Sequence, residues 1–177
     1  MRPAYALVVR EQVVEATYSR TTDEQVRGRR ASDPELGAWR AFLRAGAAST
    51  LALEAALAPT GVSHSEYDVL VNIAGGPREG VRPTELAERV LITKSGLTRL
   101  LDRLVERRYI ERHACATDRR GQLIVLTAEG RHAFRRATPN VVRAIGAIFG
   151  ERFNDHDIDA LRAACERIAS AAEAMTT

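Results

Sequence analysis

The sequence predicts a mainly α-helical fold with one small β-hairpin, an α+β chain in which helices supply most of the packing. Three observations lead there. Apolar residues recur in steps of three and four in successive segments between residues 35 and 107 and again after residue 127, the period of a helix with one buried stripe. Between those regions the period falls to two, in the β-rich runs YIER (109–112) and QLIVLT (122–127), separated by the polar stretch HACATDRRG. The length, 177 residues with 45% hydrophobic content, fits one globular domain and leaves little room for a second.

Residues 1–34 read as an N-terminal extension in which Leu7, Val8, Glu11, Val14 and Glu15 fit a short helix. Arg27, Arg29 and Arg30 follow in a polar segment that reads either as a loose tail or as an arm that touches phosphates. Ser32 or Asp33, followed by Pro34, then supplies a cap and first-turn proline for a helix over residues 35–58. In it Leu36, Trp39, Leu43, Gly46, Thr50, Leu53 and Leu57 make the seam of a helix that packs along another helix. Pro59, Thr60 and Gly61 break the chain. Ser63 with Glu66 is a capping box, Val62 and Tyr67 its hydrophobic staple, and the next helix turns Val69, Leu70 and Ile73 inward before Gly75, Gly76 and Pro77 stop it.

A further helix starts near Pro83 and Thr84 and reads TELAERV. Leu91 and Ile92 link it to Thr93, which caps the helix to which the rest of the chain is fitted, residues 93–107. There Leu97, Leu100, Leu101, Leu104 and Val105 share one face, and Ser95, Thr98, Arg99, Asp102, Arg103 and Glu106 share the other. Two short helices joined tightly, the second with a polar outer face, form a helix-turn-helix, and the hairpin after it is a wing. Thr127 caps another helix, which Pro139 is expected to kink or divide. From about residue 155 a last helix repeats Ile158, Leu161, Cys165, Ile168, Ala172 and Met175 in the same rhythm. Residues 35–177 thus read as one domain: a dimerisation helix at 35–58, a winged helix-turn-helix at 61–136 and C-terminal dimerisation helices at 137–177. The terminal seams need partners, which are each other and the same helices of a second subunit.

Charge is placed where that reading wants it. Residues 78–120 carry eleven basic and seven acidic side chains, whereas residues 35–77 carry two and four. A basic surplus around an amphipathic helix is the electrostatic footprint of phosphate binding. Thr93, Lys94 and Ser95 stand at a helix start, where unpaired N–H groups and the helix dipole favour a phosphate, and Thr84 stands likewise on the preceding helix. Arg99 suits guanine O6 and N7, with Thr98 and Arg103 beside it. Arg103 has a second reading, as a surface partner of Glu106 or Asp102. Arg119 and Arg120 lie at the hairpin tip, where an arginine reads the width and negative potential of a minor groove.

Other classes fare worse. His64, His113, His132 and His156 are scattered, and no nucleophile elbow, phosphate loop, dinucleotide motif or HExxH is present, so no enzyme, cofactor or metal site is expected. Cys115 and Cys165 form no CxxC pair, which fits a reducing cytoplasm. Cys115 precedes an arginine-rich tip and is the candidate for a redox input, with a passive thiol as the alternative. The opening MRPAYALVVREQVVEA fits neither a signal peptide nor a membrane span.

RPTELAERV, TKSGLTRLLDRLVERRYIER, DRRG and VLTAEGR, in that order, resemble MarR-type winged helix-turn-helix regulators over about residues 36–174. The resemblance implies a homodimer on a pseudo-palindromic double-stranded DNA operator, with the recognition helix in the major groove and the wing in the minor groove. It implies that Arg120 enters the minor groove while Asp118 holds it. It also implies a ligand-responsive repressor whose effector, a small aromatic or carboxylate compound, binds near Trp39, Arg44, His64, Tyr67 and Asp68. A regulator of this kind is cytoplasmic and joins the nucleoid when on DNA. The remaining alternative is a winged-helix module that binds protein instead of DNA.

Overall fold

The computed structural model describes residues 31–90, 94–115 and 118–175, with the side chains of Lys94, Cys115 and residues 118–120 outside that description. Most of the expected extension over residues 1–34, together with Leu91, Ile92 and Thr93, therefore lies outside the described residues. The chain divides into two compact units, one ending at His64 and the other beginning at Ser65.

In the first unit α1 spans Asp33–Leu57. Ser32 caps it from an extended backbone, and the Glu35 carboxylate accepts both the Ser32 N–H at 2.7 Å and its hydroxyl at 2.8 Å. This occupies groups that the first turn of any helix leaves unpaired. A 3-10 turn over Ala58–Thr60 ends the run, with the Thr60 hydroxyl donating to the Leu57 carbonyl and accepting from the Val62 N–H. Of the expected seam only Leu57 is buried, while Trp39 on the seam and Phe42 and Leu51 off it are exposed. By length and composition the stretch Asp33–Thr60 is apolar enough to cross a membrane, a test that the core helix of a soluble protein and a signal sequence also pass.

Next comes α2, His64–Ala74, which buries Tyr67, Val69, Leu70 and Ile73. α3 spans Pro83–Arg89 and α4 spans Lys94–Glu106. The hairpin follows, β1 at Ile110–Cys115 antiparallel to β2 at Asp118–Leu126. Its strands run further toward the tip than the β-rich runs suggest, and the ladder is regular from Ile110 opposite Leu126 to Ala114 opposite Gln122 before it slips. A third piece joins this sheet: the Val81 N–H donates to the Ile124 carbonyl at 3.0 Å and the Ile124 N–H returns the bond at 2.9 Å. Gly80 makes that approach with φ +115, where a Cβ would meet the Ile124 carbonyl at 2.9 Å.

α5 covers Ala128–Phe149 and α6 covers Asp155–Ala174, with a 3-10 turn at Gly150–Arg152 between them. The expected division of α5 at Pro139 does not occur. Proline in a helix interior costs about 3 kcal/mol, but Ala133, Ala137 and Val141 are buried along one face on both sides of it, and that packing holds the helix together. The core of this unit gathers Val69, Leu70, Val81, Leu86, Leu100, Leu104 and Ile124, each at 2% exposure or less. Burial of each such side chain contributes on the order of 2 kcal/mol, so α4 and the hairpin are held by the same core.

Candidate nucleic-acid interface

α4 separates its faces as its period requires. Leu97, Leu100, Leu101 and Leu104 are buried, and Ser95, Thr98, Arg99, Asp102, Arg103 and Glu106 are exposed. Val105, expected on the inner face, is 38% exposed. At about 100° per residue it falls roughly 80° from Leu97, past Leu101 and at the rim of the buried stripe. The side chains of Arg99 and Arg103 make no hydrogen bond or ion pair among the described residues. Ser95 and Thr98 are already engaged in interactions. The alternative pairing of Arg103 with Glu106 or Asp102 does not occur among the described residues, and Asp102 pairs with Arg112 at 2.6 Å.

Thr84 is exposed in the first turn of α3, after Arg82 as an extended N-cap. Lys94 is the first residue of α4, and Asp118, Arg119 and Arg120 open β2 at the hairpin tip. The side chains of these four, and Thr93 as a whole, lie outside the described residues. Cys115 closes β1 with its side chain likewise outside, while Cys165 is a half-buried free thiol on α6.

How α4 ends decides where the hairpin begins. The Arg108 N–H donates to the Val105 carbonyl and the Tyr109 N–H to the Leu104 carbonyl, with Arg108 at φ 57. This is a Schellman cap, with arginine in the left-handed position usually held by glycine. The Thr127 hydroxyl donates to the Arg108 carbonyl at 2.6 Å and accepts the Gly130 N–H at 2.9 Å, so it joins the root of the hairpin to the start of α5. There the helix lies so close that a Cβ on Gly130 would sit 1.9 Å from the Tyr109 carbonyl oxygen.

Beneath the cap is a charged contact that sequence reasoning missed. Glu66, only 6% exposed, accepts a hydrogen bond from Arg107 Nη1 at 2.8 Å, and Arg107 Nη2 donates to the Tyr109 hydroxyl at 2.9 Å. Burial is the largest influence on the Arg107 guanidinium and works against its charge. The hydrogen bond and charge of Glu66, with Tyr109, outweigh it and hold the group above its ordinary value. As a sequence feature Glu66 reads as a capping residue; its place at i, i+4 and i+7 with the inward-facing Leu70 and Ile73 was the available signal of a buried acid that needs a partner.

The five expected effector residues fare differently. Tyr67 is 9% exposed, stacks on Phe134 at 5.7 Å between ring centroids and donates to the Thr138 hydroxyl at 3.4 Å. Asp68 accepts from the Asn72 amide. In the other unit Trp39 stacks on Phe42 and is 44% exposed, Arg44 is exposed and His64 is half-buried. Among the described residues no group of three or more His, Cys, Asp or Glu side chains is placed to hold a metal ion.

Known proteins share this arrangement. A family model described as the MarR family matches residues 60–121. The HTH-type transcriptional regulator PrsX of Escherichia coli is 32% identical over 78 residues, 44% of this chain and 47% of that protein. The chain thus spans about half the length of the first curated relatives it matches. Among solved structures, Sco3205, a MarR family transcriptional regulator from Streptomyces coelicolor in complex with DNA, is 30% identical with a TM-score of 0.74, covering 81% of this chain and 91% of that one. CouR from Rhodococcus jostii RHA1, bound to p-coumaroyl-CoA, is 31% identical with a TM-score of 0.68, covering 75% and 91%.

Proposed function

The chain belongs to the MarR family of transcription regulators, and from that premise we propose that it is a sequence-specific double-stranded DNA-binding repressor acting as a homodimer on a pseudo-palindromic operator. The observation that carries this reading is the outer face of α4, where the Arg99 and Arg103 side chains stand exposed, with no partner among the described residues, on a helix whose other face is locked into the core. Two cations held out on a rigid helix are suited to a groove flanked by phosphates. In this reading Arg99, Thr98 and Arg103 face base edges, and Thr84, Thr93, Lys94 and Ser95 hold the backbone. Asp118, Arg119 and Arg120 serve the minor groove, with Arg120 inserted and Asp118 orienting it. The half-sites are expected about 10 base pairs apart, and likeness to the transcriptional repressor YetL of Bacillus subtilis, 30% identical over 107 residues, favours repression. We assign the protein no catalysis, cofactor or membrane role, and place it in the cytoplasm, on the nucleoid when bound.

Gel-shift titration with the DNA upstream of the gene tests this. Binding is expected to fall by roughly 10³ to 10⁵ between 50 and 200 mM salt, as for 6 to 10 phosphate contacts. Arg120→Ala is expected to weaken binding across sequences, and Arg99→Ala to blur preference at particular bases as well. Affinity indifferent to salt and to both substitutions overturns the reading in favour of a protein-binding module.

The proposed effector is a small aromatic or carboxylate compound, in keeping with the aromatic acyl thioester bound by CouR. Of the candidate residues, Trp39, Arg44 and His64 keep exposed or half-exposed groups in their unit, whereas Tyr67 and Asp68 are engaged in the packing of the other. Because Trp39 is the only tryptophan, its fluorescence reports on binding directly. An aromatic carboxylate that releases DNA is expected to change it, and release with unaltered emission places the effector elsewhere.

A further inference from the structure

Arg112 breaks the pattern of its strand. Period two puts it on the same face as Ile110, which is 1% exposed, and directly opposite the fully buried Ile124. An apolar side chain is expected there. Instead a guanidinium extends toward α4, where Nη2 donates to Asp102 Oδ1 at 2.6 Å. Asp102 sits three residues after Arg99 and next to Arg103, on the face proposed to meet DNA. A bare carboxylate among those arginines would repel phosphates, and its pairing with Arg112 cancels that charge.

The pair also stands near the root of the hairpin. From Arg112 to Cys115, the last residue of β1, is three residues, about 10 Å at roughly 3.3 Å per residue. A rotation of about 10° at the root therefore carries the strand end about 2 Å, enough to break a hydrogen bond made there. We propose that the Asp102–Arg112 pair is a positioning strut, fixing the wing against the recognition helix so that major-groove and minor-groove contacts are made in one register. The proposal rests on the DNA-binding reading above. Neither side chain has to touch a base. Both are partly exposed, at 53% for Asp102 and 35% for Arg112, so the contact is expected to matter little to overall stability.

The test is a double-mutant cycle in the full-length protein with Asp102→Asn, Arg112→Gln and the pair combined. Each single variant is expected to bind operator about tenfold more weakly with melting nearly unchanged, and the double variant to be no worse than either single one. The wild type is expected to lose affinity when one base pair is inserted between the half-site and the flanking minor-groove segment, and the variants to be indifferent to that insertion. Tighter binding by Asp102→Asn, altered preference at one base, or additive losses overturn the strut. Hydrogen exchange on the free protein tests it without DNA. Protection of the β1 and β2 amides is expected to drop equally in both single variants, and unchanged protection overturns the strut even if the wild type binds no duplex.

Discussion

At Arg108 the chain adopts a backbone conformation that L-residues avoid, φ 57, so that α4 can end and β1 begin within two residues. A non-glycine residue in that region costs about 1–2 kcal/mol, of which glycine returns part through the greater freedom of its unfolded chain. Arg108→Gly is therefore expected to stabilise the protein by about 0.5–1 kcal/mol, measured by chemical denaturation. Loss of stability would mean that the Arg108 side chain holds something the cap does not explain. Gly130 is the opposite case. An added methyl would meet the Tyr109 backbone, which cannot swing aside as a flexible side chain can. Gly130→Ala is expected to cost at least about 2 kcal/mol, read as a fall in melting temperature of roughly 5 °C or more, and a neutral result would show that α5 can slide away from the hairpin root.

Among the elements, α4 was legible because leucines at helical spacing and short donors opposite them specify both faces at once. Val105 was misplaced only because it lies at the rim of the stripe, where periodicity decides least. The hairpin was legible from its β-branched runs, but its true length was not, since the polar residues of the tip carry no signal for the strands they extend. The division expected at Pro139 came from a local rule, which the buried alanines of a continuous helix override. The contacts that escaped notice are those between residues distant in the chain, such as Glu66 with Arg107, 41 positions away. No periodicity reports such a pair. That contact ties α2 to the end of α4, and removal of the arginine takes away the cation that faces the buried Glu66 carboxylate. Arg107→Leu is expected to destabilise by about 3 kcal/mol, reduced somewhat because the arginine is 35% exposed. Adding Glu66→Leu is expected to recover much of that loss in urea titrations. Since the Arg107 group is raised on folding, its contribution is present below its unfolded value and lost only above its folded one. Stability should thus show no step from this group anywhere near neutral pH.

For the molecule as a whole, the feature that calls for company is the apolar surface left on the C-terminal helices. Val142, Ile145, Leu161 and Ile168 are each at least 39% exposed, and Leu161 and Ile168 stand seven residues apart on one side of α6. A stripe of this kind in water favours a second copy over solvent. Leu161→Glu with Ile168→Glu is expected to turn a dimer into a folded monomer in sedimentation, and to lower operator affinity by roughly 10²-fold or more as the two half-sites lose their linkage. A double variant that still sediments as a dimer would place the interface on other surfaces. The described residues also include a bond pair, between Val81 and Ile124, that makes the segment before α3 part of the same sheet as the wing. The turn from Gly75 to Gly80 therefore has a fixed length: one residue inserted there would shift Val81 out of register and break both of its bonds to Ile124. Among related chains, length variation should be absent from that turn.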